Sequence, residues 1–118
     1  MNIAPVSLIS FGNKSPLKTE FLNGGIKIKR DITGAEIDNS NVTLDHTVPK
    51  SKGGKSNIYN YSLMSRDANI KRGNKSLRGM IDLRCLLDYI IVMLDVKTMN
   101  VDGVDYLRRW LRNLRKVI

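Results

Sequence analysis

One stretch near the middle of the chain constrains the fold more than any other. Residues 42–46 alternate apolar and polar side chains and are rich in β-branched residues, which is typical of a short strand. The residues that follow include Pro49, Gly53 and Gly54 and indicate a loop. Residues 61–64 can return as the partner strand. The pattern therefore predicts an antiparallel hairpin with a long loop between its strands.

The segments on either side of this hairpin predict a further strand and two short helices. The alternation of isoleucine and lysine over residues 26–29 predicts the strand. Residues 16–22 predict one short helix. Asp67 is expected to cap a second helix that runs to Arg72, and Gly73 is expected to end it.

Two longer helices are predicted toward the end of the chain, one over residues 76–94 and one after Asp102. The first carries a broad apolar face that should form the spine of the core, made of Leu83, Leu86, Leu87, Ile90, Ile91 and Leu94. The second repeats apolar residues at steps of three and four, at Val104, Leu107, Leu111, Leu114 and Ile118. The length fits a single domain over residues 1–118, with an N-terminal segment (1–29), a central part (30–78) and a C-terminal helical pair (79–118).

Cysteine content and hydropathy exclude several classes of protein. Cys85 is the only cysteine, which excludes an internal disulfide and a zinc site built on paired cysteines. No apolar run approaches the roughly 20 residues of a membrane span. Residues 1–11 lack the basic residues that open a signal peptide. We therefore expect an intracellular, cytoplasmic protein that has no membrane partner.

Positive charge is concentrated in two segments of the chain. The net charge is +9, and residues 47–78 hold eight basic side chains and one acidic one, whereas residues 106–118 hold five basic and none acidic. Such clustering indicates a polyanion partner, although a solvated surface gives the same pattern, and cations in a final helix also complement its dipole. The candidate phosphate-binding residues are Lys50, Lys52, Lys55, Arg66, Lys71, Arg72, Lys75, Arg108, Arg112 and Arg115.

The only histidine, His46, follows Asp45 at the end of the first predicted strand, and Asn69 lies on the predicted helix. A histidine with its usual pKa of about 6.5 can take a proton from water at neutral pH. Carboxylate and amide oxygens are hard ligands that suit Mg²⁺ or Mn²⁺. Neighbours on a strand point to opposite faces, but Asp45 and His46 can still serve one site if a helix lies across one face and the substrate across the other. The chemistry indicated is metal-assisted phosphodiester cleavage.

The order and spacing of several residues resemble the HNH endonuclease family: residues 44–54, Asn60, Leu63, Asn69, Lys71 and Gly73. The resemblance covers residues 30–78 and implies an α+β fold, a ββα-metal core with two C-terminal helices as buttresses. It implies metal-dependent cleavage of double-stranded DNA, with His46 as general base and Asp45 and Asn69 as ligands of one Mg²⁺ or Mn²⁺ ion. Asn60 would tie the inter-strand loop together. The paired cysteines of many members are absent, so no structural zinc is expected, and the small size favours a phage-type, homing-like enzyme by analogy.

Two other classes of function remain open at this point. The chain can be a non-catalytic DNA-binding module that keeps the fold without turnover. It can also be an interaction protein whose basic surface meets an acidic partner protein. A monomer or a homodimer fits each of them.

Overall fold

The two strands predicted in the middle of the chain pair as an antiparallel hairpin. The computed structural model describes residues 16–96 and 101–118, and in it strand β1 spans Val42–His46 and strand β2 spans Tyr61–Ser65. Val42 lies opposite Ser65 and His46 lies opposite Tyr61. The predicted hairpin is therefore confirmed, together with the long loop that joins its strands.

Four helices accompany this two-stranded sheet in the described part of the chain. They are α1 (Pro16–Leu22), α2 (Arg66–Arg72), α3 (Leu83–Leu94) and α4 (Gly103–Arg115). The inter-strand loop adds two short 3₁₀ turns, Lys50–Lys52 and Ile58–Asn60. The α+β class predicted from the sequence is confirmed.

Helix α2 follows β2 without a connecting loop. Ser65, the last residue of β2, caps the helix by accepting a hydrogen bond from the backbone N–H of Ala68. The cap predicted at Asp67 is therefore wrong, because the chain turns into the helix two residues earlier and Asp67 lies in the first turn. Gly73 ends the helix at φ 59°, with its N–H bonded to the Asn69 carbonyl, as predicted.

The strand predicted over residues 26–29 does not form. Ile26 and Ile28 are buried whereas Lys27 and Lys29 are exposed. The alternating pattern therefore matches the burial of the side chains, although no strand forms. The only β-bridge of this region within the described residues joins Arg30 to Glu36. The chain bends at Ile26 and at Lys29, and within the described residues it pairs with neither strand of the hairpin.

Helix α3 begins at Leu83, seven residues later than the predicted start at Ser76. The residues before it bond to other parts of the fold: the N–H of Leu77 donates to Val117 and that of Asp82 donates to Ile32. The Asp82 side chain then caps the helix through the Cys85 N–H. These tertiary hydrogen bonds replace the helical ones that the sequence pattern predicted.

The buried face of α3 also differs from the predicted one. Cys85, Tyr89 and Met93 are buried, and Leu86 and Ile90 pack at the edge of the core. Four residues of the predicted spine are 45–66% exposed: Leu83, Leu87, Ile91 and Leu94. The reason is aromatic packing, since the Tyr89 and Trp110 rings lie 4.8 Å apart and fix the rotation of the helix.

Helix α4 packs against β2. It begins after Asp102, as predicted, and the Asp102 side chain caps it by accepting a hydrogen bond from the Asp105 N–H. Trp110 is fully buried and donates its indole N–H to the Ser62 hydroxyl at 2.9 Å. Two residues of the predicted apolar stripe, Val104 and Ile118, are more than half exposed, because aromatic Tyr106 and Trp110 take the central positions of the buried face.

One cluster of buried apolar side chains draws on all four helices and both strands. β2 lies at its centre, since each of its five residues is buried. Within residues 16–96 and 101–118 no helix is long and apolar enough to cross a bilayer.

Candidate active site

The end of β1 and one face of α2 border a surface cleft of about 360 Å³. Asp45 and His46 reach it from β1, and Asn69 reaches it from α2. The remaining lining residues are Leu44, Pro49, Lys50, Ser51, Gly73 and Asn74. β1 ends at His46, so residues from both faces of the strand can border the same cleft. The three predicted site residues are therefore brought together.

His46 is half-buried and sits beside the inter-strand loop. Its Nε2 atom lies 3.0 Å from the Ser56 hydroxyl, and its ring meets the Tyr61 ring edge-on at 5.0 Å. Burial, assisted by the positive charge of Lys50, lowers the pKa of His46 below its usual 6.5. The imidazole is therefore largely neutral at pH 7 and can accept a proton.

Asp45 is paired with a buried arginine. Arg72 Nη1 lies 2.5 Å from Asp45 Oδ2, and both side chains are almost completely buried. Burial raises the pKa of Asp45 to about 6, against the opposing pull of the Arg72 guanidinium. The carboxylate is thus mostly ionised at neutral pH, and its charge is balanced by Arg72.

Arg72 holds more than the carboxylate. Its guanidinium also donates to the backbone carbonyls of His46 at 3.0 Å, Thr47 at 2.8 Å and Lys75 at 2.8 Å. A fully buried guanidinium with these partners cannot contact a nucleic acid. The prediction that Arg72 binds phosphate is wrong, and its role is to fix the end of β1 against α2.

Asn69 is held by its amide nitrogen. Nδ2 donates to the Thr43 hydroxyl at 2.8 Å and to the Leu44 carbonyl at 3.4 Å. Over the described residues no donor reaches Asn69 Oδ1. Fixing the nitrogen on β1 therefore leaves the carbonyl oxygen as the group available for a ligand.

Asn60 closes the inter-strand loop. Its side chain is buried, accepts from the Val48 N–H at 2.8 Å, and donates to the carbonyls of Val48 at 3.0 Å and Lys55 at 2.9 Å. Gly54 passes so close to this point that a β-carbon there would lie 1.7 Å from the Val48 carbonyl oxygen. The loop that borders the cleft is therefore fixed by one amide and one glycine.

Two residues that line the cleft, Asp45 and Asn69, carry oxygens of the kind that bind hard cations. No group of three or more His, Cys, Asp or Glu side chains suited to a metal occurs among the residues that the structure describes. Two of the lining residues have an oxygen without a hydrogen-bond partner among the described residues, Asp45 Oδ1 and Asn69 Oδ1. Hard ions such as Mg²⁺ take such ligands, with water and phosphate completing the shell. The residues fit a weakly held hard ion better than a zinc ion, which favours nitrogen and sulfur.

The predicted phosphate-binding residues divide by position. Lys50 borders the cleft itself. Lys52 is exposed on the loop, Arg66 and Lys71 are exposed on α2, and Lys75 is exposed three residues after that helix ends. Lys55, Arg108 and Arg112 border a second groove between the loop and α4, whereas Arg115 borders neither concavity.

Sequence reasoning missed two partners at this site. Ser56 reaches His46 from the loop, and Arg72 reaches Asp45 from the end of α2. A serine in a polar loop has no distinguishing signal. Arg72 directly precedes Gly73, so the sequence indicates only a helix end at this position. The signal that could have identified its role is the acidic residue on the neighbouring strand, because a buried arginine needs such a partner.

Comparison of the chain with protein-family models and with curated proteins finds no match.

Proposed function

We propose that this protein is a metal-dependent HNH-type endonuclease that hydrolyses phosphodiester bonds in double-stranded DNA. The proposal rests on one observation. The hairpin and the helix that directly follows it bring Asp45, His46 and Asn69 to one cleft. The position of Asn60, which closes the loop between the strands, supports the same ββα arrangement.

His46 would act as the general base. Its lowered pKa keeps the imidazole neutral at pH 7, so it can take a proton from an attacking water. The water oxygen forms a bond to phosphorus as the bond from phosphorus to the 3′ oxygen breaks. The 3′ oxygen then takes a proton from solvent, which leaves a 5′-phosphate and a 3′-hydroxyl.

Asp45 and Asn69 would hold one Mg²⁺ or Mn²⁺ ion through their unpartnered oxygens. When bound, such an ion neutralises charge on the phosphoryl group and on the departing oxygen. Arg72 keeps Asp45 oriented, and Lys50 at the cleft wall adds a positive charge for a phosphate.

The Asp45–Arg72 pair favours a second candidate function, that of a DNA-binding module without catalytic turnover. Arg72 already balances the only carboxylate in the cleft, so the protein alone presents little net negative charge to a cation. An ion would then bind mainly when a DNA phosphate supplies the missing charge. Metal-dependent turnover separates the two readings.

Nicking of supercoiled plasmid with Mg²⁺, Mn²⁺ or EDTA tests the proposal. His46→Ala should reduce nicking by at least about 10²-fold, the usual effect of losing a positioned base, and should keep DNA affinity. Ser56→Ala is the matched control, because it removes the partner of Nε2 and leaves the base. Nicking that survives His46→Ala would sink the base assignment, and nicking lost in Ser56→Ala would show that the base depends on its contact with the Ser56 hydroxyl.

A further inference from the structure

A second concavity lies between the inter-strand loop and α4, with a volume of about 480 Å³. The loop contributes Lys55 and Tyr59 to its wall. Helix α4 contributes Arg108, Arg109 and Arg112, and Lys116, the residue that follows the helix directly, adds a fourth cation. We call this concavity the α4 groove.

The cations of the α4 groove lie on one side of the helix. Arg108, Arg112 and Lys116 follow at steps of four residues and so stack along the same face. Asp105 is the only acidic residue in the lining, and it pairs with Arg108 at 3.2 Å and Arg109 at 3.3 Å. Five cations face one carboxylate, which leaves a net charge of +4 (5 − 1) in the groove.

Three of these cations are not engaged by an acidic side chain. Within the described residues, Lys55, Arg112 and Lys116 make no ion pair, and each is exposed. They also come from two separate elements, the loop and the helix. A cation near the end of α4 can complement the helix dipole, but that explanation does not account for Lys55, which faces the same groove from the loop.

The two walls of the groove are joined before any ligand arrives. The Arg109 guanidinium lies 4.5 Å from the centre of the Tyr59 ring, and Asn113 donates to the Tyr59 carbonyl at 2.9 Å. These contacts hold the loop on the helix. The groove is therefore a preorganised cationic surface, which lowers the ordering cost of binding an anion.

The α4 groove lies close to the candidate active site because both use the same loop. Ser51 borders the cleft and Gly53 borders the groove, so their Cα atoms are at most about 7.6 Å apart along the chain. Duplex DNA carries one negative charge per roughly 1.7 Å of its axis. A duplex that lies along this loop would therefore bring phosphates to the groove as well as to the cleft.

We infer that the α4 groove is a second DNA-backbone site, which binds phosphates of the same duplex that the cleft would cut. Lys55, Arg112 and Lys116 make the contacts, and Arg109 with Tyr59 holds the loop in place for them. The inference rests on the proposed endonuclease function, because it takes the substrate of the cleft as its ligand.

The test measures the salt dependence of binding to a short fluorescent DNA duplex in EDTA, so that no cleavage intervenes. Arg112→Gln combined with Lys116→Gln should reduce the magnitude of the slope of log affinity against log salt by about 2, and Lys55→Gln by about 1. Arg84→Gln is the control. It removes an exposed cation on α3 that borders neither the groove nor the cleft, and should leave the slope unchanged.

An unchanged slope in the folded double variant overturns the inference. If that variant fails to fold, as circular dichroism would show, Lys55→Gln decides, because Lys55 lies on an exposed loop and its loss affects no helix. Plasmid nicking is scored separately. If the protein does not nick plasmid but these variants reduce the salt slope, the endonuclease proposal is contradicted and the groove inference stands. If the protein nicks normally and the slopes are unchanged, the groove inference is contradicted and the endonuclease proposal stands.

Discussion

Arg72 and Asp45 form a buried ion pair, with 2.5 Å between Nη1 and Oδ2. The pair joins α2 to the end of β1, next to the histidine that we propose as the base. The arginine also holds two consecutive carbonyls of the chain at that point, those of His46 and Thr47. The geometry of the cleft therefore depends on a residue that does not line it.

Arg72→Met should destabilise the fold by about 3–5 kcal/mol, because it leaves the Asp45 charge buried without a partner. Arg66→Met is the matched control on the same helix, since Arg66 is exposed, and it should cost less than about 1 kcal/mol. Urea unfolding measures both. Equal stabilities in the two variants would contradict a structural role for the pair.

The stability of the protein should depend on pH through Asp45. Its pKa is raised from 3.8 to about 6 in the folded state. The folded state therefore binds more protons than the unfolded chain in this interval, and the contribution of Asp45 to stability falls as pH rises from about 4 to about 6. Relative to the wild type, Asp45→Asn should gain on the order of 3 kcal/mol over that range. A difference that stays constant with pH in urea titrations would refute this.

The acid limb of the nicking rate should follow the titration of His46. The neutral imidazole is the active form, so the rate falls as pH drops through its lowered pKa. Lys50→Gln removes a neighbouring charge and should move the midpoint to higher pH, whereas Lys52→Gln, on the same loop, should not. Because the chain has one histidine, its proton NMR titration gives the pKa without an assignment step. If the midpoint does not change in Lys50→Gln, the charge of Lys50 does not contribute to the lowered pKa of His46.

Ion binding should depend on Asn69 and should tighten in the presence of DNA. Asn69→Ala removes a free carbonyl oxygen and should weaken Mn²⁺ binding, as followed by paramagnetic titration. Asn74→Ala is the matched control, because Asn74 borders the same cleft and its amide is not a proposed ligand. Since Arg72 balances Asp45, Mn²⁺ should bind more tightly with an uncleavable duplex than without one. Identical affinities in both variants would rule out this ion site.

Asn60→Ala should destabilise the protein by about 2–4 kcal/mol, because it leaves the buried Val48 N–H and two carbonyls without a partner. Asn57 also accepts a backbone N–H, that of Tyr59, but is exposed, so Asn57→Ala should cost about 1 kcal/mol or less. Thermal unfolding compares them. A milder effect for Asn60→Ala than for Asn57→Ala would show that the loop does not depend on this amide.

The hairpin and the short helix after it could be predicted from the sequence because their signals are local. Alternation over residues 42–46, the glycines of the loop and the stop at Gly73 each act within a few residues. The convergence of Asp45, His46 and Asn69 on one cleft followed from that placement, since the three residues lie on these same elements.

The buried face of α3 could not be predicted in this way. Apolar residues lie on most sides of this helix, so the periodicity of the sequence fits several different buried faces equally well. The choice is made by Tyr89, which packs on Trp110 and bonds to the Tyr106 hydroxyl at 2.9 Å. Likewise, the burial of Arg72 depends on Asp45, which lies 27 positions away along the chain. Contacts of this range leave no periodic trace in the sequence.

The hydrogen bond from Trp110 to Ser62 joins positions 48 residues apart. The residues of the candidate active site therefore lie close together in the sequence, but their geometry depends on a helix from a distant part of the chain. A fragment cut after α2 would lose the cover over β2 and, with it, the support of the cleft. An attempt to transplant the hairpin and its helix into another scaffold must therefore carry the final helix along, or replace its tryptophan with another large side chain that reaches Ser62.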